Sequence, residues 1–432
     1  SFLTAGTATV ATATPGGDGL TINASLAGTG QGRKDRRGKL TLAGDNNALL
    51  SRFLILNGVV NAQHDQALGA AGAGPSALGS ERIVNPGAAL EIQDSRTIRA
   101  HLVLSGTGYS NDNSGALRVF GTALDTLGQP IPAVVNLPGT IEIGAPNLLS
   151  NLTNPITPFP NVNNQLPLYT AIGVGRNRDA THDPTGSQGN DTDLVVANGQ
   201  VNFGSGLNTL KVGDGTLELG GTLPNVGSGT MFVNDGTLAL NKSGAAVALP
   251  VNVVIGDNDG AIRQDGTRAD RVLYRDTAGT NQIADGVEVH IGRSGGLYYG
   301  SRSETVGVMR IDLGEVVGTS GTLNIARAVL SGAQIHSGTG TFGVTAAIAN
   351  SNSETAHSLE VWPSSVVATI GGNFTLNNGF RVIFTGVGGN ATLDGPNLYD
   401  LVVNANVTGG GPSGRLEKQG SGGVRFNGIN TG

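Results

Sequence analysis

Residues Leu210–Leu240 read LKVGDGTLELGGTLPNVGSGTMFVNDGTLAL. One pattern occurs in them twice: Gly-Thr-Leu-x-Leu at Gly215–Leu219, and again at Gly236–Leu240, 21 residues further on. In each copy two leucines stand two positions apart, so an extended backbone turns both to the same face. Gly-Asp-Gly and Asn-Asp-Gly lie before the two copies. Such corners supply the left-handed backbone positions that a sharp bend requires. A short strand, a bend and another short strand, repeated about every 20 residues, is the signature of a solenoid.

The rest of the chain carries weaker versions of this unit. GKLTL at Gly38–Leu42 is followed by GVVNA at Gly58–Ala62, and GTLNI and GNFTL stand at Gly321–Ile325 and Gly372–Leu376. These spacings predict an all-β chain folded as a right-handed parallel β-helix. Each coil would climb one strand spacing of about 4.8 Å. No coil buries its own interior, so stability depends on stacking. A β-sandwich also has many short strands, but it does not call for one unit at a 20-residue offset. About 18 coils and a rod of roughly 85–90 Å would follow. Leu217, Leu219, Leu238 and Leu240 are predicted as inward-facing members of the core ladder.

Composition agrees with this class. The 432 residues include 70 glycines, more than twice the usual share of about 7%. Without a Gly-X-Y period, collagen is excluded, and the recurring Val, Ile, Leu and Thr runs argue against disorder. Net charge is −6, so no global field favours nucleic acid. The one basic run, GRKDRRG with Arg33, Lys34, Arg36 and Arg37, reads as a solvated turn, with an anionic neighbour or glycan as its other reading. There is no cysteine and no apolar run long enough to cross a membrane as a helix. Ala48–Leu56, ALLSRFLIL, is the one run whose apolar spacing also suits a helix.

Prolines concentrate between Pro130 and Pro184, and proline is poorly tolerated in a central strand. This predicts β-helical coils over 1–123, a Pro/Gly-rich lateral excursion over 124–193, and further coils over 194–432 that end in a half-repeat.

The final stretch Arg415–Gly432, RLEKQGSGGVRFNGINTG, and the two fuller copies at Leu210–Leu240 and Gly38–Gly69 carry a resemblance. The chain resembles the autotransporter-associated β-strand repeat, whose unit reads approximately L-x-K-x-G-x-G-x-L-x-L-x-G-x-N-T. Leu416, Lys418, Gly420, Gly422, Val424, Phe426, Gly428, Asn430 and Thr431 match it position by position. The resemblance implies a passenger-type protein, extracellular or at the surface of a Gram-negative-type bacterium. Passengers of this kind include adhesins, proteases and structural stalks. The absence of cysteine suits a chain that crosses an outer membrane unfolded.

Chemistry-bearing residues are few. His64, His101, His182, His290, His336 and His357 have no zinc-like spacing and read as surface or corner residues. GDNDG at Gly256–Gly260 with Asp265, and RADRVLYRD at Arg268–Asp276, have carboxylates spaced for acid–base work or for Ca²⁺. The same residues also suit plain β-corners, where Asp and Asn side chains accept from local backbone N–H groups. Ca²⁺ is the only cofactor these residues suggest, and no catalytic residue is named. Trp362, Phe380, Phe384, Tyr298, Tyr299 and Tyr399 read as capping or core positions rather than a sugar-binding face.

An open β-helix end exposes an unpaired strand edge. Both ends read as strand-like, with Leu416, Val424, Phe426 and Ile429 on the C-terminal edge and Phe2, Leu3 and Val10 on the N-terminal one. Joined head to tail, they continue the repeat at nearly its internal spacing. The expectation is therefore a secreted structural protein, a homopolymer stacked end to end into a filament or surface layer. The other readings are a monomeric adhesin with cell-surface glycans as partners, and a polysaccharide-acting β-helix enzyme.

Overall fold

The computed structural model describes residues 8–11, 19–49, 51–69, 81–121, 134–144, 169–175, 193–197, 199–260, 262, 266–345, 358–362, 364–376, 380–385, 399–409 and 415–431. The chain is all-β, and two compact units divide it, Ser1–Leu238 and Ala239–Gly432. The described strands pair in parallel, and the only helix among the described residues is the single 3-10 turn Tyr109–Asn111.

In the first unit, strands of successive coils lie side by side, 20 residues apart at Leu20, Leu40 and Val60 and further apart beyond. Leu20 is opposite Leu40, Leu40 opposite Val60, Val60 opposite Leu90, Leu90 opposite Leu117, and Leu117 opposite Ile172. From Leu40 onward every member of this column is buried. A second face stacks Ile55, Val84, Leu104 and Ile143. A third pairs Arg96 with Val135, Val135 with Leu194 and Leu194 with Leu217. Fully burying such side chains contributes about 1.5–3 kcal/mol each. The stacked columns are thus the core.

The second unit repeats the arrangement. Val253, Val289, Met309, Ala328, Leu359 and Ile383 form one column. Leu297, Val316, Ile335, Ile370 and Val403 form another. On a third face Leu323, Phe342 and Phe374 stack, with the two phenyl rings 5.7 Å apart. Strand Gln334–Val344 serves two faces. Its start pairs with Glu315–Gly318 and its end with Thr322–Ser331, and the register shifts between His336 and Thr341.

Corners are tied between coils. Buried Asn46 accepts from the Leu26 N–H (2.7 Å) and donates to the Ala67 carbonyl (2.7 Å), linking corners 20 and 21 residues apart. Outward positions form polar ladders: Lys39 and Arg118 both pair with Glu91, and Asn61 donates to the same carboxylate.

Two expectations are corrected. Residues 124–193 are not a single lateral excursion, because Val135–Asn136, Ile141–Ile143 and Tyr169–Val174 are ladder strands with neighbours on both sides. The rest of that stretch, 124–133, 145–168 and 176–192, lies outside the described residues. Ala48–Leu56, whose spacing left strand and helix open, contains the buried strand Phe53–Ile55, stacked on Gly32–Lys34 and Arg82–Val84. The basic run is not a solvated turn throughout. Gly32–Asp35 is a strand whose Lys34 is fully buried, while Arg36 and Arg37 are exposed.

Candidate functional site

The carboxylates singled out in the sequence are engaged locally. In Gly256–Gly260, Asp257 accepts from the Asp259 N–H (2.8 Å) and Asp259 from the Gly260 N–H (2.8 Å). Asn258, in the left-handed region, accepts from the Arg293 N–H (3.0 Å) on a neighbouring coil. These are β-corner bonds. Asp265 lies outside the described residues. Around Arg268, the backbone N–H donates to the Tyr298 hydroxyl (2.8 Å), which in turn donates to Glu315, and Glu315 pairs with the Arg268 guanidinium at 3.6 Å. Burial and this bond push the Tyr298 phenol upward, so the group holds a corner together as a neutral donor. Among the described residues no group of three or more His, Asp or Glu is placed to hold a metal ion.

His101 departs from the surface reading. It is buried, and Nε2 lies 3.4 Å from Glu142. His336 is exposed, His64 and His290 are half-buried, and His182 and His357 lie outside the described residues. Tyr298 and Tyr299 are buried, Trp362 is exposed, and nothing is described of the Phe380 and Phe384 side chains.

Leu217, Leu219, Leu238 and Leu240 are all buried, each at 2% exposure or less. At the other extreme stands the outermost described coil, made of Arg415–Gln419, Val424–Phe426 and Asn430–Thr431. These strands pair with Phe380–Thr385, Leu401–Val403 and Asn406–Gly409 respectively. Among the described residues they are paired on one side only. Leu416, Phe426 and Ile429 are exposed (43%, 37% and 70%), and Val424 is half-buried. Phe426 continues the column of Leu297, Val316, Ile335, Ile370 and Val403, and among the described residues its strand has no second ladder partner. Backbone polarity adds to this. Leu401 N–H donates to the Gly423 carbonyl and Asn427 N–H to the Val403 carbonyl. Parallel alternation therefore turns the N–H and C=O groups of Val424 and Phe426 to the side away from Leu401–Val403. At the other edge, Val10 lies in a strand opposite Lys34. Phe2 and Leu3 lie outside the described residues.

Sequence reasoning missed a set of buried charges. Lys34, Lys211, Lys242 and Arg82 are fully buried. Arg82 donates to the carbonyls of Leu68, Ser51 (2.9 Å) and Leu49 (3.2 Å), and burial draws its guanidinium down to about 10, against the Glu81 charge. Glu304 is also buried and takes a hydrogen bond from the Tyr274 hydroxyl. The only sequence signal for these positions is that each charged residue occupies an inward parity within its strand.

Comparison with protein families, curated proteins and solved structures returns no match. Among the described residues no helix is long and apolar enough to cross a membrane.

Proposed function

We propose that this chain is a right-handed parallel β-helix serving as a secreted structural element, and that copies stack end to end into an extracellular filament or surface layer. The observation that carries this reading is the coil Arg415–Thr431. It presents a row of outward-turned backbone groups and the apolar side chains of Leu416, Phe426 and Ile429 together. A second copy that lays a coil over it extends the three ladders and buries those side chains, with ladder bonds setting register and apolar burial supplying most of the affinity. Such a contact is heterologous and does not close, so it grows a filament. The columns of Leu, Val, Ile and Phe support the same reading, because a stack of this kind gains stability from each coil added.

Negative-stain microscopy of the purified chain, with and without Val424→Pro, tests it. Proline removes an N–H that turns away from Leu401–Val403 and is not used in pairing with it. The native chain is expected to form rods that lengthen with concentration, and the variant to remain folded as single short particles. Native particles of one fixed short length, or variant filaments like the native ones, contradict the proposal.

A further inference from the structure

Trp362 is the one tryptophan of the chain, and it lies 52% exposed just beyond the strand Leu359–Val361. Val361 before it is buried in the core, so alternation sets Trp362 with Glu360 on the outer face of the second unit. Single exposed apolar side chains are common and by themselves mean little. Trp362 differs because its ring is held. The indole N–H donates to Glu360 Oε2 at 3.2 Å. The Glu360 carboxylate is buried and is itself paired with the Arg327 guanidinium, whose Nε donates at 3.1 Å. A largely buried ion pair thus fixes the edge of the indole and leaves much of the ring in solvent.

Two earlier strands extend this face. Ile311, Leu330 and Val361 stand in one ladder row, and Asp312, Ser331 and Trp362, each one residue further on, form the next. The Trp362 N–H donates to the Leu330 carbonyl and so continues the register past the strand end. At one strand spacing per step, Ser331 lies about 4.8 Å from Trp362 along the row and Asp312 about 9.6 Å. Glu288 and Glu360 on the same face have arginine partners, Arg310 at 2.6 Å and Arg327. The Asp312 carboxylate and the Ser331 hydroxyl have no hydrogen-bond partner among the described residues, and Asp312 is exposed.

An aromatic platform with a hydroxyl and a carboxylate along one side suits a ligand with an apolar face and a polar rim. A pyranose with equatorial hydroxyls has this form: its axial C–H bonds make a flat apolar face, and its hydroxyls ring the edge with donors and acceptors. A protein partner calls for an apolar centre inside a polar rim, whereas the row of Trp362 runs directly into a hydroxyl and a carboxylate. An anionic sugar or a nucleic acid would meet the Asp312 charge.

We propose that the row Asp312–Ser331–Trp362 is a binding subsite for a neutral, β-linked pyranoside chain, one sugar ring stacking on the indole while hydroxyls bond Ser331 and Asp312. Glu360 and Arg327 are positioning residues that hold the indole in one orientation. The subsite lies on the outer face of the coils and is independent of assembly through Arg415–Thr431.

The test uses the tryptophan itself. Cellohexaose, a neutral chain of β-linked glucose, is titrated against the native protein while Trp362 fluorescence is recorded. Saturable, blue-shifted emission with half-saturation in the millimolar range is expected, together with weaker quenching by acrylamide. Saturation-transfer NMR should show the strongest transfer to the ring C–H protons of the sugar. Trp362→Ala should abolish that transfer while circular dichroism stays native. Asp312→Ala should weaken binding about fivefold, the equivalent of one ordinary hydrogen bond. Glu360→Ala should add a fast component to the fluorescence anisotropy decay of Trp362 and weaken binding, and Glu360→Gln, which keeps an acceptor for the indole, should recover part of both. Emission that cellohexaose leaves unchanged up to its solubility, or transfer that survives in Trp362→Ala, overturns the subsite. A response to tetramethylammonium in place of the sugar makes the ring a cation platform and overturns it equally. Native affinity in Glu360→Ala overturns the positioning role.

Discussion

The hydroxyl of Tyr274 donates a hydrogen bond to Oε2 of Glu304, with both side chains buried in the second unit. The same carboxyl accepts from the backbone N–H groups of Ile283 (3.0 Å) and Thr305 (2.9 Å). Burial lifts it to about 7 from the ordinary 4.5, although these donors pull the other way. The folded state therefore holds this proton more tightly than the unfolded one. The contribution is complete below about pH 4.5 and is lost as pH rises through about 7. Its full size is on the order of 3 kcal/mol. Denaturant unfolding between pH 4.5 and 8 should show native stability declining relative to Glu304→Gln across that window. Parallel curves for the two proteins would contradict the assignment.

Leu238 is fully buried in an inward column position. Leu238→Asp places a carboxylate without a partner among apolar side chains and should cost several kcal/mol. Leu238→Ala should cost about 2–5 kcal/mol. Thermal unfolding by circular dichroism checks both, and an Asp variant as stable as the native chain would refute the inward assignment.

The repeat strands and their faces were legible in the sequence, because side chains alternate with period two and Gly-Thr-Leu-x-Leu marks its own register. Leu217, Leu219, Leu238 and Leu240 show this. The strands inside 124–193 were not legible. Val135–Asn136 and Ile141–Ile143 are two and three residues long, too short for alternation to stand out beside prolines, and only pairing with coils far off in sequence defines them. The buried lysines were illegible for a related reason. Lys34 and Lys211 look like surface charges until the carbonyls of a coil 23 or 24 residues away are in place. Glu304 needed Tyr274, 30 residues distant, to declare itself.

Arg82 satisfies three carbonyls at Leu49, Ser51 and Leu68. Arg82→Met keeps the stem and leaves those buried oxygens without their donor, at about 1–3 kcal/mol for each that water does not reach. A midpoint shift in urea unfolding measures this. Arg82→Lys should recover only part, since one ammonium does not reproduce the fork of the guanidinium. Full recovery by lysine would show that charge alone matters there.

Gly58 sits at φ +75 against Lys34 and the Gly38 carbonyl. Gly58→Ala should therefore destabilise the first unit by more than the roughly 1 kcal/mol that ordinary backbone entropy returns on such a change. Gly87, at φ +79 with open space around its Cβ position, is the control and should cost less. Equal losses would mean that the close approach contributes nothing.

End-to-end assembly through the coil Arg415–Thr431 is tested most directly by amide hydrogen exchange at Val424 and Phe426, whose N–H groups turn away from Leu401–Val403. The account predicts fast exchange in dilute solution and protection that rises with protein concentration as rods form, while Arg425, paired inward, is protected throughout. Rods that form while Val424 and Phe426 continue to exchange fast would contradict it, and would place the assembly contact elsewhere on the molecule.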